Sequence, residues 1–552
     1  MPLRLLRALF LLLLPAVAAH AVERADLIIY GGTSAGVVAA VQARRLDRTV
    51  ILIEPGRHLG GMTTSGLGAT DLGRREAVGG IAREFYVRIY EHYLQPAAWR
   101  QETREQYLPR HKASLAEAAR LQFFFEPHVA EKIFHDLLRE HGVTVVFGER
   151  LDRRGGGVTQ EGRRIVSIRM ESGRVFAGGM FMDTTYEGDL MAEAGVSYTV
   201  GREPNAQYGE TLNGIRYVEP EKNLRHVDVH VVPGDPASGL LPGILPAAPG
   251  VEGEGDRRLQ AFTFRVCLTD DPANRVPIAR PDDYDPLRYE VFARHLAVKP
   301  HLRPGGETLF KLTPMPNRKT DSNNAKGIST DYVGRNHAWA EASYAEREQL
   351  WQEHRSYVQG LLWFLGNDPR LPEELRAAVT RWGLPKDEFA DTGHWPRQLY
   401  VREARRMVSD YVITEHDCVR TRVAEDSVGL ASYPMDSHQV TWYADADGKL
   451  ALEGGFYKTV KPYPLSYRAL VPREGECANL FVPVCLSATH ASYGSIRMEP
   501  VFMILAQSAA TAAHLALQHG VPVQQVPYAE LSARLRADGQ VLHFPVKTKA
   551  KK

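Results

Sequence analysis

The chain has 552 residues, 44% of them hydrophobic and 24% charged, with a formal net charge of +1. That length exceeds one small core and allows roughly three or four domain-sized units, and the composition excludes a chain that is disordered overall. Lys and Arg are scattered instead of forming the basic face that nucleic acid requires, so no such partner is expected.

At the N-terminus, Arg4 and Arg7 precede the apolar run LLLLPAVAA and the small-residue site Ala19-His20-Ala21. Charged, apolar and A-x-A regions in that order describe a secretory signal peptide over residues 1–21. The run is short for a span of about 20 residues, and no later stretch is read as crossing a bilayer. The mature chain is therefore expected in the periplasm or outside the cell, without a membrane span. Cys267, Cys418, Cys477 and Cys485 form no C-x-x-C pair, so neither zinc nor an iron–sulfur cluster is expected and no metal site is assigned. Cys477 and Cys485 lie close enough to close a small disulfide loop, with buried free thiols as the other reading.

Asp26 to Tyr30 reads as a buried strand, a helix follows from Ala35 to about Leu46, and Thr49 to Ile53 is a second strand ending on Glu54. This is a βαβ unit of about 30 residues. His128 to His141 has helical periodicity, Gly142 stops it, and Val143 to Phe147 follows as a strand. From Arg164 to Phe181 two β-rich runs flank Ser172-Gly173 as a hairpin. Residues 203 to about 470 are more polar and irregular, with a helical segment from Tyr344 to Met407 broken near Pro369 and Pro385. An apolar strand from Asn479 to Val484 and an Ala-rich helix from Val501 to His519 restore the α/β pattern.

The first chemistry lies at Gly31-Gly32-Thr33-Ser34-Ala35-Gly36. A pyrophosphate would sit on the helix N-terminus, where unpaired N–H groups and the helix dipole favour negative charge. Gly31 permits the tight turn and Gly36 the close approach of helix to strand, while Thr33 replaces the middle glycine of G-x-G-x-x-G. Glu54 is placed to accept from the adenosine ribose, and its charge disfavours a 2′-phosphate. FAD is selected over NAD by Gly60, Gly61 and Met62, where a glycine doublet just past the acid lets backbone approach the ribityl and ring region. Asp183 begins a third segment, DTTYEGD, at which the chain returns to the cofactor.

GGTSAG, LGGMTTSG and DTTYEGDL together resemble the FAD-dependent oxidoreductases with a glutathione-reductase-like FAD fold, nearest to a bacterial, often exported family. The resemblance runs on through PNRKTDSNN, LYVREARRM, DSVGLASYPMDSH and PVCLSATHASYGSIRMEP. The flavin-binding part is also similar to that of heterodisulfide reductase, whose iron–sulfur cysteines are absent here. The resemblance implies that Cys485 to Pro500 passes beneath the flavin ring, with a helix starting near Glu499 or Pro500 to favour reduced-flavin charge. Ser487 stands roughly where many relatives place an acidic ribityl ligand.

The expected fold class is α/β. A Rossmann-like FAD-binding domain spans residues 22–202 and 472–530, a large inserted α+β substrate or cap domain covers 203–471, and 531–552 form a C-terminal tail. His490 and Arg497 flank the return segment and are the catalytic candidates, as base and as charge clamp; structural bonding of His490 and pairing of Arg497 with Glu499 remain the alternatives. Arg402, Arg405 and Arg406 share a face if helical, either binding an anionic substrate or pairing with Glu403 or Glu415. Asp436 and His438 share a side beyond Tyr433 if that stretch is a strand, as a pair orienting a base or as surface polarity. Asn317, Lys319, Asp321, Asn323 and Asn324 read as a polar loop. The functional expectation is an FAD-dependent oxidoreductase that oxidises an alcohol, with carbohydrate as a candidate small-molecule substrate. A fumarate-reductase-like double-bond reductase and a flavin-carrying electron-transfer component are the other readings. Oligomeric state stays open.

Overall fold

Leu27 to Tyr30, the apolar end of β1 (Glu23–Tyr30), are wholly buried because β1 lies between parallel strands and both sheet faces are covered, Leu27 and Ile29 entering one core and Ile28 and Tyr30 another. The computed structural model describes residues 21–544 except 111–114, 117–119, 219–223, 306–308 and 326. The signal-peptide expectation, up to its last residue, thus falls outside the described residues, as does the Lys-rich end.

A glycine loop leads from β1 into α1 (Ser34–Arg45), and β2 (Val50–Glu54) then pairs in parallel with β1 from Leu27↔Val50 to Tyr30↔Ile53. Helix α2 (Pro127–Glu140) carries the chain to β3 (Thr144–Phe147), parallel to β2 on the sheet's outer side. Strands β4 (Val158–Glu161), β5 (Arg164–Arg169) and β6 (Val175–Asp183) form an antiparallel run, and β6 returns in parallel beside β1. The order is β3-β2-β1-β6-β5-β4. The chain winds outward through β2 and β3 and then crosses to β6, so the switch point lies between β1 and β6, where the glycine loop sits. That is the position at which Rossmann-like sheets bind dinucleotides.

The middle of the chain builds separate small sheets. Strands β7 (Val266–Thr269), β8 (Phe310–Met315) and β9 (Lys319–Asn324) form an antiparallel trio with β9 central. The stretch expected as a polar loop is therefore mostly a strand. Only its start turns, with Asn317 and Arg318 at φ 61° and 57°. Two helices follow, α3 (Tyr344–Asn367) and α4 (Glu373–Thr380).

The helical expectation fails beyond α4. Residues 399–404 form no helix and lead into β10 (Arg405–Met407), which pairs antiparallel with Tyr198–Val200. Pro396 disfavours helix at Trp395, and the three arginines reach carboxylates on different elements instead of sharing a face. Arg402 meets Asp331 at 2.9 Å, Arg405 meets Asp189 at 2.8 Å and Arg406 meets Glu203 at 2.6 Å. Arg406 also holds Glu403 at 2.5 Å, buried instead of solvated, whereas Glu415 pairs with Lys458.

The chain re-enters the main sheet as β11 (Leu480–Phe481), parallel to the C-terminal half of β6. Then come α5 (His490–Ile496), α6 (Glu499–His519) and α7 (Tyr528–Ala537). By length and apolar composition α6 could cross a membrane, contrary to the sequence reading, yet 89% of its apolar window is buried. It is a core helix, tied to α1 where Gln42 Nε2 donates to Thr511 Oγ1 at 3.0 Å. Helix α7 runs across residue 530 and buries Leu531 and Leu535, so folded structure extends into the expected tail. All four cysteines are free and buried, which removes the disulfide reading.

Candidate cofactor and substrate site

The glycine loop is built by contacts that no side chain would permit. Gly31 has φ 107°, and a Cβ there would lie 2.8 Å from the Thr185 amide nitrogen. A Cβ on Gly36 would overlap the Gly31 carbonyl oxygen. Thr33, the departure from the glycine pattern, is the N-cap of α1: its Oγ1 donates to Thr184 O at 2.7 Å and accepts from the Gly36 amide at 3.4 Å. The threonine thus fastens the loop to the DTTYEGD segment, a role glycine could not fill. The first-turn amides of Ser34 and Ala35 have no acceptor among the described residues. They are the donors a pyrophosphate requires. Gly36→Ala is accordingly expected to weaken FAD binding by at least about tenfold, roughly 1.4 kcal/mol, in a fluorescence titration of the deflavinated protein.

At the end of β2, Glu54 accepts from the Gly32 amide at 2.7 Å and the Gly56 amide at 2.5 Å. Burial pushes its carboxyl up to about 7 against the pull of those two amides. Gly60 donates to Gly32 O at 2.7 Å, which lays the glycine doublet against the loop. Its glycines have φ 92° and 53° and make room for Thr64, Phe134 and Tyr186. The buried Met62 donates its amide to the Tyr186 hydroxyl at 2.9 Å. Asp183 turns inward: it accepts from Thr185 and Met191 amides at 3.0 and 2.9 Å, and burial raises it to about 6. Ser487 is also enclosed, its hydroxyl accepting from Ser409 N at 3.1 Å.

One residue that the sequence reading offers only as a helix start and as an alternative partner of Arg497 joins these pieces. Glu499, at the start of α6, accepts from Ser34 Oγ at 2.6 Å, Thr63 Oγ1 at 2.8 Å and Tyr186 OH at 2.8 Å. Thus α1, the segment after the glycine doublet, the DTTYEGD turn and α6 converge on one buried carboxylate. The residues fit FAD: free amides at a helix N-terminus, an acid at the end of β2 and a second helix start converging on the same loop.

Beside the first turn of α6 lies a small recess, whose lining includes Asp71, Arg74, Tyr433, Met498, Val501 and Ile504. Arg265 grips Asp71 at 2.9 Å and is anchored through Nε to Asp321 at 2.8 Å. The charge of Asp71, with burial, pushes the Tyr433 phenol well up. Asp71 could have been flagged as the first acid after the glycine doublet, but nothing local distinguishes it.

The two catalytic candidates are not adjacent. His490 is 1% exposed and does not line the recess. Its Nδ1 faces Glu403 at 2.7 Å, its amide donates to Glu203 at 2.9 Å, and Phe456 stands edge-on to its ring. Burial alone would raise Glu403, but His490 and Arg406 hold it down to about 2. Glu403 thus fixes one nitrogen of the ring, while the buried Nε2 has no hydrogen-bond partner among the described residues. Arg497 immediately precedes the N-cap of α6 and binds Tyr400 OH at 2.8 Å and Asp436 at 3.1 Å, not Glu499. Asp436 and His438 do share a side, 3.4 Å apart, and His438 also meets Asp331 at 2.7 Å. They belong to a largely buried charge cluster, not to simple surface polarity.

Residues 26–535 match a family model described as FAD dependent oxidoreductase. No curated protein matches the chain. Among solved structures, L-proline dehydrogenase from P. horikoshii matches at 15% identity, with 33% of this chain and 59% of that one covered and a TM-score of 0.23. L-amino acid deaminase from Proteus vulgaris matches at 12%, covering 33% and 53%, with a TM-score of 0.24. The 3-ketosteroid-delta4-(5alpha)-dehydrogenase from Rhodococcus jostii RHA1 matches at 13%, covering 39% and 61%, with a TM-score of 0.22. The match spans less than two thirds of each of these three chains.

Proposed function

Because the chain belongs to the FAD-dependent oxidoreductase family, we propose that it is a dehydrogenase oxidising a hydroxyl-bearing small molecule, with carbohydrate as a candidate class, in the recess beside α6. Bound FAD supplies the acceptor for the hydride leaving the carbinol carbon. The Ser34 and Ala35 amides hold its pyrophosphate and Glu54 its ribose. Asp71 takes the hydroxyl proton as the carbonyl forms, Arg265 fixes the carboxylate from behind, and Tyr433 orients the substrate. The observation that carries this reading is the Asp71–Arg265 pair, which puts one anchored carboxylate on the wall of a largely apolar recess. We place the enzyme in the periplasm or medium and assign it a glutathione-reductase-like subtype, with residues 203–471 as its cap.

Anaerobic bleaching by a panel of sugars and hydroxy acids tests the proposal. Asp71→Asn is expected to retain flavin yet slow bleaching by about 10²–10⁴-fold; bleaching at the wild-type rate would remove Asp71 from the mechanism. Double-bond reduction is a second reading, favoured by Arg74, a recess-lining arginine with no side-chain partner among the described residues. Reoxidation of the reduced protein by enoates, with no bleaching by alcohols, would select it.

A further inference from the structure

His58 lies between two supports of the glycine loop. Glu54 before it accepts from the Gly32 amide, and Gly60 after it donates to the Gly32 carbonyl. Both contacts end on Gly32, so whatever fixes His58 fixes the segment that joins them.

Both ring nitrogens of His58 face carboxylates. Nδ1 is 2.8 Å from Glu131 Oε1 on α2, and Nε2 is 2.6 Å from Asp391 Oδ2 in the middle region, within the turn Ala390–Thr392. One guanidinium takes the other oxygen of each carboxylate. Arg397 Nη1 reaches Glu131 Oε2 at 2.9 Å, and its Nη2 reaches Asp391 Oδ1 at 2.7 Å. His58, Glu131, Arg397 and Asp391 thus close a ring in which cation and anion alternate. The Phe389 ring lies 5.3 Å from the Arg397 guanidinium.

Donor and acceptor chemistry sets the proton. An ionised carboxylate only accepts, and a neutral imidazole carries a single N–H. Two donated bonds therefore require the imidazolium, and two carboxylates around one arginine are neutralised only when His58 is charged. Burial opposes ionisation of Asp391, yet Arg397 and then His58 hold its carboxyl below the usual range, so it remains an acceptor. The His58 side chain is 29% exposed, which lets its proton exchange with water. His128, the other histidine joining α2 to this part of the middle region, meets Glu388 through Nδ1 alone, at 2.7 Å.

We propose that His58 is a positioning residue for FAD. As imidazolium it clasps the segment between Glu54 and Gly60 to α2 and to the middle region, and its deprotonation opens one side of the clasp and loosens the cofactor. The clasp acts on FAD retention, whichever substrate the enzyme oxidises. A histidine that gains partners on folding contributes stability that is present at low pH and lost as pH rises.

FAD release is followed by the recovery of flavin fluorescence after dilution of the holoenzyme. Between about pH 5.5 and about pH 8.5, where histidine exchanges its proton, release from the parent should quicken by about fivefold, the scale of one partly exposed charge pair. His58→Gln cannot carry the charge and should release FAD at the fast rate at both ends of the range. His58→Arg cannot lose it and should release slowly at both ends. A pH dependence in His58→Gln equal to the parent's would overturn the proposal and point to His128. Equal release from the Gln and Arg variants at about pH 8.5 would also overturn it, leaving His58 as a packing residue. Release is read on flavin without substrate, so neither failure bears on Asp71.

Discussion

Glu499→Leu is expected to lose most of its FAD and to melt well below the parent protein. Three hydroxyl donors, on Ser34, Thr63 and Tyr186, end on this single carboxylate in a buried site. An apolar replacement strands all three, and each buried unsatisfied group costs about 1–3 kcal/mol. The total is therefore about 3 kcal/mol or more, on the scale of a whole marginal stability of about 5–15 kcal/mol. The effect on flavin follows from where the donors sit. Ser34 opens α1, whose first-turn amides are the pyrophosphate site, and Thr63 lies in the short helix beginning at Gly61. Releasing them loosens the cradle at its phosphate end and at its ring end together. Glu499→Gln keeps one carbonyl acceptor and should fall between parent and Leu variant in both flavin absorbance and thermal midpoint. A Leu variant with full flavin and an unchanged midpoint would show that the convergence on Glu499 is incidental.

The elements legible in the sequence are those whose stabilisation is apolar and local. β1, α1 and β2 are readable because a buried parallel strand is a continuous apolar run and because glycines mark the turn. The start of α6 is equally readable, since proline suits a first helical turn. The failures share a different cause. β9 reads Lys-Thr-Asp-Ser-Asn-Asn, without one apolar residue, yet its first four positions are buried. Its charges are neutralised by Glu126, Glu388 and Arg265, which lie far away in sequence. Arg402, Arg405 and Arg406 mimic helical spacing, while Asp331, Asp189 and Glu203, which they meet, lie on separate segments that only the fold brings together; Glu403 alone is a local partner. Glu499 meets Ser34 across 465 residues, so no window of sequence could have linked them. In the cofactor loop the sequence reading turns Asp183 and the glycine doublet toward the cofactor, whereas the structure shows Asp183 accepting from the Thr185 and Met191 amides and the doublet packed against Thr64, Phe134 and Tyr186.

The same pattern of distant charge pairing makes Lys319 the other position of large expected effect. Its ammonium is wholly buried, 2.8 Å from Glu126, 2.8 Å from Glu388 and 3.0 Å from Asp387. Glu126 and Glu388 are only 2% and 1% exposed. Lys319→Met preserves the length of the stem but removes the counter-charge from carboxylates that water cannot reach, and breaking a buried pair in this way costs about 3–5 kcal/mol. Its pH dependence should separate this cause from a packing defect. Burial opposes ionisation of Glu388, yet Lys319 and His128, the latter at 2.7 Å, hold its carboxyl below the usual range. A depressed carboxyl contributes stability that is fully present above the ordinary carboxylate pKa and is lost as pH falls through the lowered one. In the Met variant burial acts on Glu388 with only His128 opposing it, so the Glu388 carboxyl should rise. A raised carboxyl reverses the slope: stability is then greatest when it is protonated and falls as pH climbs through the raised value. Urea midpoints measured from pH 4 to pH 8 should therefore rise with pH on the acid side for the parent and fall with pH for Lys319→Met. Parallel profiles offset by a constant would mean that the lost stem contacts, and not the stranded carboxylates, account for the destabilisation.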